Sequence, residues 1–179
     1  VKLGPQDAKA HCNLGNAFKE LDRLEEAETS YRQAIVLKYD FAEAHYNLGI
    51  TLIELDRLDE AEASYRKAIA LKPDYAVAHN NLGSTLKDLL RLEEALVSYR
   101  QAIAINPNYA EAHSNLGNTL QELGRLYEAE ASYKQAIALK PDYTEAHSNL
   151  GITLQELGRL EEAEASYKQA IALKPDLAA

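Results

Sequence analysis

Between residues 42 and 75 the apolar positions fall into two runs. Ala44, Leu48, Leu52 and Leu55 recur at helical spacing, and after a short polar break Leu58, Ala61, Tyr65, Ala68 and Ile69 do so again. Charged and amide residues fill most of the places between, and strand-like alternation is absent. The pattern predicts two short amphipathic helices placed back to back. It then returns every 34 residues: His at 11, 45, 79, 113 and 147, Asn at 13, 47, 81, 115 and 149, and Tyr at 31, 65, 99, 133 and 167. A Leu-Gly pair recurs from Leu14-Gly15 to Leu150-Gly151. Five units follow, 8–41, 42–75, 76–109, 110–143 and 144–177, and the last two differ at only four of 34 places. Such periodicity marks an array whose units cover one another's apolar faces.

Punctuation supports the same division. Gly124-Arg125 and Gly158-Arg159 break the helix pairs of the last two units, where glycine suits a left-handed cap. Asp22, Asp56 and Leu90 hold that place earlier. Pro73, Pro107, Pro141 and Pro175 stop the second helices, with Tyr39 standing where the first such proline would be. Asp40, Asn108 or Asp142, followed three residues later by Glu43, Glu111 or Glu145, has capping-box spacing and is expected to open the next helix. No stretch reads as a linker, so residues 1–179 are expected to form one array.

His-x2-Leu-Gly-x2-Leu, then Ala-x3-Tyr, then Ala and Pro, resembles the tetratricopeptide repeat over residues 8–177. That resemblance implies an all-α, right-handed α-α superhelix, a solenoid of helix-turn-helix repeats whose first helices line a concave inner face. It implies a protein-interaction scaffold rather than an enzyme. The Asn before each Leu-Gly more narrowly resembles the repeat region of O-linked N-acetylglucosamine transferases, which implies an alternative role as the substrate-recruiting arm of a larger enzyme. Some tetratricopeptide proteins clamp a chaperone's terminal carboxylate with cations. The matching places here hold Cys12, Asn16, Asn47, Val77 and Asn81, of which only Asn16 and Asn47 fit.

Charge narrows the partners. A formal net charge of −9 is the wrong sign for nucleic acid or an anionic membrane surface. No apolar run approaches the length that spans a bilayer. The single cysteine, Cys12, excludes an internal disulfide framework, and it is expected to be an ordinary thiol, with a groove-facing thiol that dimerises on oxidation as the alternative. The histidines lie one repeat apart. With about 8–10 Å per helix packing they cannot share a metal ion, and they are expected to fill an aromatic's slot between the paired helices. No cofactor is expected. Glu28–Arg32, Glu62–Arg66, Glu130–Lys134 and Glu164–Lys168 have the spacing of ion pairs on a solvated helix face, worth about 0.2–0.5 kcal/mol each.

The asparagines are the candidates for binding. Asn inside a helix costs up to about 0.7 kcal/mol relative to Ala, so five of them call for a compensating role. Asn13, Asn47, Asn81, Asn115 and Asn149 would form a ladder of amides on the concave face, able to grip a peptide main chain or to bond the neighbouring repeat. Variable neighbours would choose the partner: Asn16, Ile50, Ser84, Asn118 and Ile152, then Lys19 and Lys87, with an acidic row through Glu54, Asp88 and Glu122. In the third unit Leu90, Leu96 and Val97 replace polar residues, marking either a second contact on the outer face or packing against a neighbour. Leu3-Gly4-Pro5 resembles the tail of a preceding unit and Ala178-Ala179 the start of a following one. Tyr167, Ala170, Ile171 and Leu173 repeat the interior apolar set on the last helix, which predicts end-to-end self-association. The near identity of units four and five also permits a consensus-like or engineered array, and a self-stacking assembly module is a further alternative.

Overall fold

The computed structural model describes residues 7–173; Leu3-Gly4-Pro5, Pro175 and Ala178-Ala179 lie outside them. Among the described residues there are ten helices and no strand. They are α1 (Ala8–Glu20), α2 (Leu24–Leu37), α3 (Ala42–Glu54), α4 (Leu58–Leu71), α5 (Ala76–Asp88), α6 (Leu92–Ile105), α7 (Ala110–Glu122), α8 (Leu126–Leu139), α9 (Thr144–Glu156) and α10 (Leu160–Leu173). Two compact units divide at Leu90 and Arg91, so α1–α5 belong to the first and α6–α10 to the second. In the first unit α1 pairs with α2 and α3 with α4, while α2 packs on α3 and α4 on α5. In the second, α7 pairs with α8 and α9 with α10, while α6 packs on α7 and α8 on α9.

Each helix pair closes around a tyrosine and a glycine. Tyr31, Tyr65 and Tyr133 are fully buried, with Ala27 and Ala34, Ala61 and Ala68, or Ala129 and Ala136 one turn to either side. Small residues on both sides let the two helices approach until the ring lies flat against the first helix. A Cβ on Gly49 would stand 2.7 Å from Tyr65 Cε1, and one on Gly117 would stand 2.7 Å from Tyr133 Cε1. The Leu-Gly pair is thus a packing device, in which Leu48 and Leu52 fill the core and Gly49 admits the ring.

The turn inside each pair is a left-handed cap. Gly124 and Gly158 have φ of 70° and 75°, and Asp22, Asp56 and Leu90 adopt the same region at 57°, 58° and 60°. At Gly124 the Arg125 N–H donates to Leu120 O at 2.8 Å and the Gly124 N–H to Gln121 O at 2.8 Å, the Schellman arrangement. Leu90 pays a steric cost there that glycine escapes, roughly 1–2 kcal/mol, and its exposed side chain recovers little of it. Leu90→Gly should therefore raise stability by about 1 kcal/mol after the extra chain entropy of glycine is subtracted. Urea unfolding of the two proteins checks this, and a loss of stability would show that the Leu90 side chain holds something in place.

Helix entry differs from the expected capping box. The N-cap residues are Phe41, Tyr109 and Tyr143, without a side-chain cap, in place of Asp40, Asn108 and Asp142. The reason is a tight turn before the helix. Tyr143 N–H bonds Lys140 O at 3.0 Å and Thr144 N–H bonds Asp142 O at 2.9 Å, which moves the start on by one residue. The aromatic ring then lies under the preceding lysine, with Lys140 Nζ 4.9 Å from the Tyr143 centroid and Lys72 Nζ 4.5 Å from that of Tyr75. Glu43, Glu111 and Glu145 fall in the first helical turn, where a carboxylate complements the helix dipole. Only Asp7 caps with its side chain, accepting from Lys9 N at 2.9 Å, among the helices whose caps are described.

One more expectation is corrected, and one pair of alternatives is decided. The second-helix carboxylates form their i,i+4 pairs, but Glu28 and Glu130 are nearly buried and each takes a second cation from the next repeat. Arg57 Nη1 meets Glu28 Oε2 at 2.7 Å and Arg159 Nη1 meets Glu130 Oε2 at 2.7 Å. Burial alone would raise the Glu130 carboxyl, but its bonds from Lys134 and Arg159 outweigh that and hold it below the usual range. Leu96 stands 34 residues before Glu130 and is fully buried, so it belongs to the core and marks no outer contact. Arg125, 29 residues after Leu96, instead reaches the exposed Glu93 at 3.8 Å.

Candidate functional site

The inner face of the first unit is built by α3 and α5. Ile50, Ile53 and Glu54 project from α3, Asn81, Ser84, Thr85 and Asp88 from α5, and the Tyr65 ring joins them from α4. Together they line a concavity of about 260 Å³. Ile50, Glu54, Asn81, Ser84 and Asp88 are five of the residues singled out by spacing. Tyr65 reads from the sequence as part of the frame alone, and the spacing does not single out Thr85. The signal for Tyr65 lay in Gly49, which lets the ring pass across to this face.

Asn81 is held at the floor. Its Nδ2 donates to Tyr46 Oη at 3.3 Å, and Asn80 Nδ2 donates to its Oδ1 at 3.3 Å. Tyr46 packs 5.9 Å from Tyr65 and 4.9 Å from Tyr75, ring centre to ring centre, so the amide rests on an aromatic cluster. Two carboxylates, an amide, the hydroxyls of Tyr65, Ser84 and Thr85 and two isoleucine walls line the concavity.

The other asparagines do frame work as well. Asn47 Nδ2 donates to Asn16 Oδ1 at 3.0 Å, and the same oxygen accepts from Tyr31 Oη at 2.7 Å. In the second unit Asn149 Nδ2 donates to Asn118 Oδ1 at 2.8 Å, and Tyr133 Oη donates to that oxygen at 2.7 Å. Each amide therefore ties its helix to the preceding repeat through a buried tyrosine. Burial pushes the Tyr31 and Tyr133 hydroxyls well above the ordinary range, so they remain donors at any working pH. Asn13 is exposed, and Asn115 is half-buried on α7. Lys19 and Glu54 pair across repeats at 2.9 Å, as do Gln121 and Glu156 by a 2.9 Å hydrogen bond, so the acidic row is stitched to its neighbours at these points. Lys87 is half-buried on α5, and Glu122 and Ile152 are exposed on α7 and α9.

The histidines hold the chain as it enters each pair. The Nε2 of His79, His113 and His147 donates to the carbonyl of Pro73, Pro107 and Pro141 at 3.0–3.1 Å. His45 makes the longer 3.4 Å contact to Tyr39 O, where proline is missing. His45 also lines a second concavity of about 410 Å³ with Arg32, Ile35, Val36, Leu48 and Lys67, against α2 and α4. Among the described residues no His, Cys, Asp or Glu cluster could hold a metal, and no helix is long and apolar enough to cross a membrane. Cys12 is buried in α1, which pushes its thiol up and shields it, so it neither faces the groove nor offers a site for oxidative dimerisation.

Tetratricopeptide repeat models match residues 2–76 and 108–176, and a further repeat model matches 91–124. A structure described as a thermophilic TPR protein in Thermus thermophilus is 30% identical, with a TM-score of 0.73, over 94% of this chain and 92% of that one. The chain belongs to the tetratricopeptide repeat family. YrrB, titled a TPR protein with an unusual peptide-binding site, is 27% identical, with a TM-score of 0.80, over 96% of this chain and 88% of that one. MamA from Desulfovibrio magneticus RS-1 shares the fold with a TM-score of 0.88 at 21% identity, over 98% of this chain and 99% of that one. No curated protein matches significantly by sequence. Tetratricopeptide repeat proteins are in general scaffolds for protein–protein interaction, and in this chain the repeat signature itself accounts for His, Leu-Gly and Tyr.

Proposed function

We propose that the chain is a binding scaffold that takes an extended polypeptide segment on the inner face of its first helices, with a lysine or arginine side chain seated between α3 and α5. The observation that carries this reading is the concavity lined by Ile50, Ile53, Glu54, Asn81, Ser84 and Asp88. The stem of a long cationic side chain fits along the isoleucines while its head meets Asp88, since Glu54 is paired with Lys19. The amides of Asn47 and Asn81 flank it and engage the peptide main chain with the donor and acceptor capacity their frame bonds leave. Asn13, Asn115 and Asn149, with Asn16, Asn118 and Ile152, extend the same series on their own helices. The peptide-binding YrrB is a relative of nearly the same extent, which supports the class of ligand. The array binds rather than catalyses, since its paired carboxylates are absorbed by cations or by neighbouring repeats.

A peptide library screened against the chain tests this. Segments containing Lys or Arg should be enriched, and their binding should weaken with salt. Asp88→Lys should weaken it about tenfold, because one carboxylate is replaced by a like charge to the ligand's, while circular dichroism stays unchanged. Equal binding of acidic and basic peptides would refute the site. The likeness to O-linked N-acetylglucosamine transferase repeats supports a narrower use, in which the bound segment is presented to a catalytic domain. The check is whether the selected peptides also serve as glycosyl acceptors.

A further inference from the structure

One joint of the array breaks the periodicity at three places. Val36 stands where Ala70, Ala104, Ala138 and Ala172 recur. Lys67 stands where Gln33, Gln101, Gln135 and Gln169 recur, and Tyr39 where Pro73, Pro107, Pro141 and Pro175 recur. Each is the single exception at its place in the five units, and the three come together inside the first unit. Val36 and Lys67 line the concavity of about 410 Å³ against α2 and α4, whose apolar floor is Ile35, Leu48 and Ala63. Tyr39 stands at its edge, with its carbonyl 3.4 Å from Nε2 of the lining His45. Val36 and Tyr39 are 77% and 76% exposed. This concavity shares no residue with the one between α3 and α5.

Its charge is of the opposite kind. Glu28 and Glu60 are shared between Arg32 and Arg57, two carboxylates against two guanidinium groups. Arg32 uses Nε and Nη2 for them, which leaves Nη1 open among the described contacts. Lys67 is exposed and forms no ion pair among the described residues, so its positive charge is uncompensated. Burial holds the His45 ring below its ordinary range, so near neutral pH the ring is an uncharged wall. A chain with a formal net charge of −9 thus carries a locally positive hollow with an apolar floor. The volume falls within the span of ligand pockets, about 300–1,000 Å³.

We propose that this concavity is a second peptide site, opposite in preference to the inner face. It takes an acidic segment. One large apolar side chain sits on Ile35, Val36 and Leu48, while a neighbouring carboxylate meets Lys67 and Nη1 of Arg32.

Fluorescence anisotropy with labelled peptides tests the proposal. A peptide with a Glu-Leu-Glu core in a glycine–serine background should bind, and one with a Glu-Ser-Glu core should bind about tenfold more weakly. Lys67→Glu should weaken the Glu-Leu-Glu peptide about tenfold or more by facing it with a like charge. Val36→Ala should weaken it about threefold by removing two apolar carbons. Lys67→Gln should also weaken it, and this change and Val36→Ala restore residues that the other units carry, so both chains fold; circular dichroism verifies this. Asp88→Lys, at the inner face, should leave this binding unchanged, so the two sites fail separately. The inner-face preference for basic segments is then read in the Lys67→Glu chain. Absence of saturable binding overturns the proposal, as does equal binding of the Glu-Ser-Glu peptide or indifference to Lys67→Glu. Self-association of the chain, or capture by phosphatidylserine vesicles, that is lost in Lys67→Glu while the peptide does not bind would assign the surface to a second copy or to a membrane, and would overturn it too.

Discussion

Tyr133→Ala is expected to cost the second unit about 3–5 kcal/mol, the range for deleting a buried aromatic ring. The ring has no solvent exposure, and it fills the space between α7 and α8 that Gly117 leaves open. Its neighbours along α8, Ala129 and Ala136, are too small to refill the cavity. The hydroxyl adds to the cost. It donates to Asn118 Oδ1 at 2.7 Å and to Gln121 Oε1 at 3.1 Å, and the same Asn118 oxygen anchors Asn149 of the next repeat. Tyr133→Phe separates the two terms. It keeps the ring and loses the hydroxyl, and should cost only about 1 kcal/mol. Urea unfolding followed by circular dichroism reads both. A repeat array can unfold in parts, so the slope as well as the midpoint is compared. A loss below about 1.5 kcal/mol for the alanine variant, half the low end of the usual range, would show that the helices collapse onto each other without the ring.

Gly49→Ala has a sign that discriminates. In an exposed helix the change would stabilise by about 1 kcal/mol, since alanine is the better helix former. Here the new Cβ would stand 2.7, 2.8 and 2.9 Å from Cε1, Cδ1 and Cζ of Tyr65. That ring is buried and cannot rotate away, so α3 and α4 must separate. Overpacking of this kind costs roughly 1–3 kcal/mol or more, and with three simultaneous contacts we take the upper end. The expected net loss is about 2 kcal/mol, opposite to the propensity effect. A Gly49→Ala chain more stable than wild type would mean that the close approach of the Tyr65 ring is not maintained in solution.

Much of this molecule is periodic, and periodicity is what a sequence displays best. The 34-residue recurrence of Leu-Gly, Ala and Tyr places ten helices and their breaks, because apolar spacing decides which face of a helix is covered. The left-handed turns were legible at Gly124 and Gly158 for the same kind of local reason. Helix entry was not. The carboxylate of Asp142 and the ring of Tyr143 are adjacent candidates for the cap, and a turn closed by Lys140 O decides between them. Whether Leu96 and Cys12 are covered was open in the sequence, because burial depends on what another helix lays over them, and nothing in the adjacent sequence reports that.

The asparagines mark the same boundary at the level of function. The sequence by itself determined that Asn47, Ile50 and Glu54 share one stripe of α3 and that Asn81, Ser84 and Asp88 share one of α5, since side-chain direction follows from helical geometry. Only the tertiary structure decided that these two stripes meet around one concavity with Tyr65 at its base. It also decided that Asn47 hands its amide hydrogen to Asn16 and that Glu54 holds Lys19, while Asp88 stands exposed at the end of α5. Which polar atom is taken and which remains to meet a partner depends on distances between residues roughly one 34-residue repeat apart, and those are set by how one repeat packs on the next.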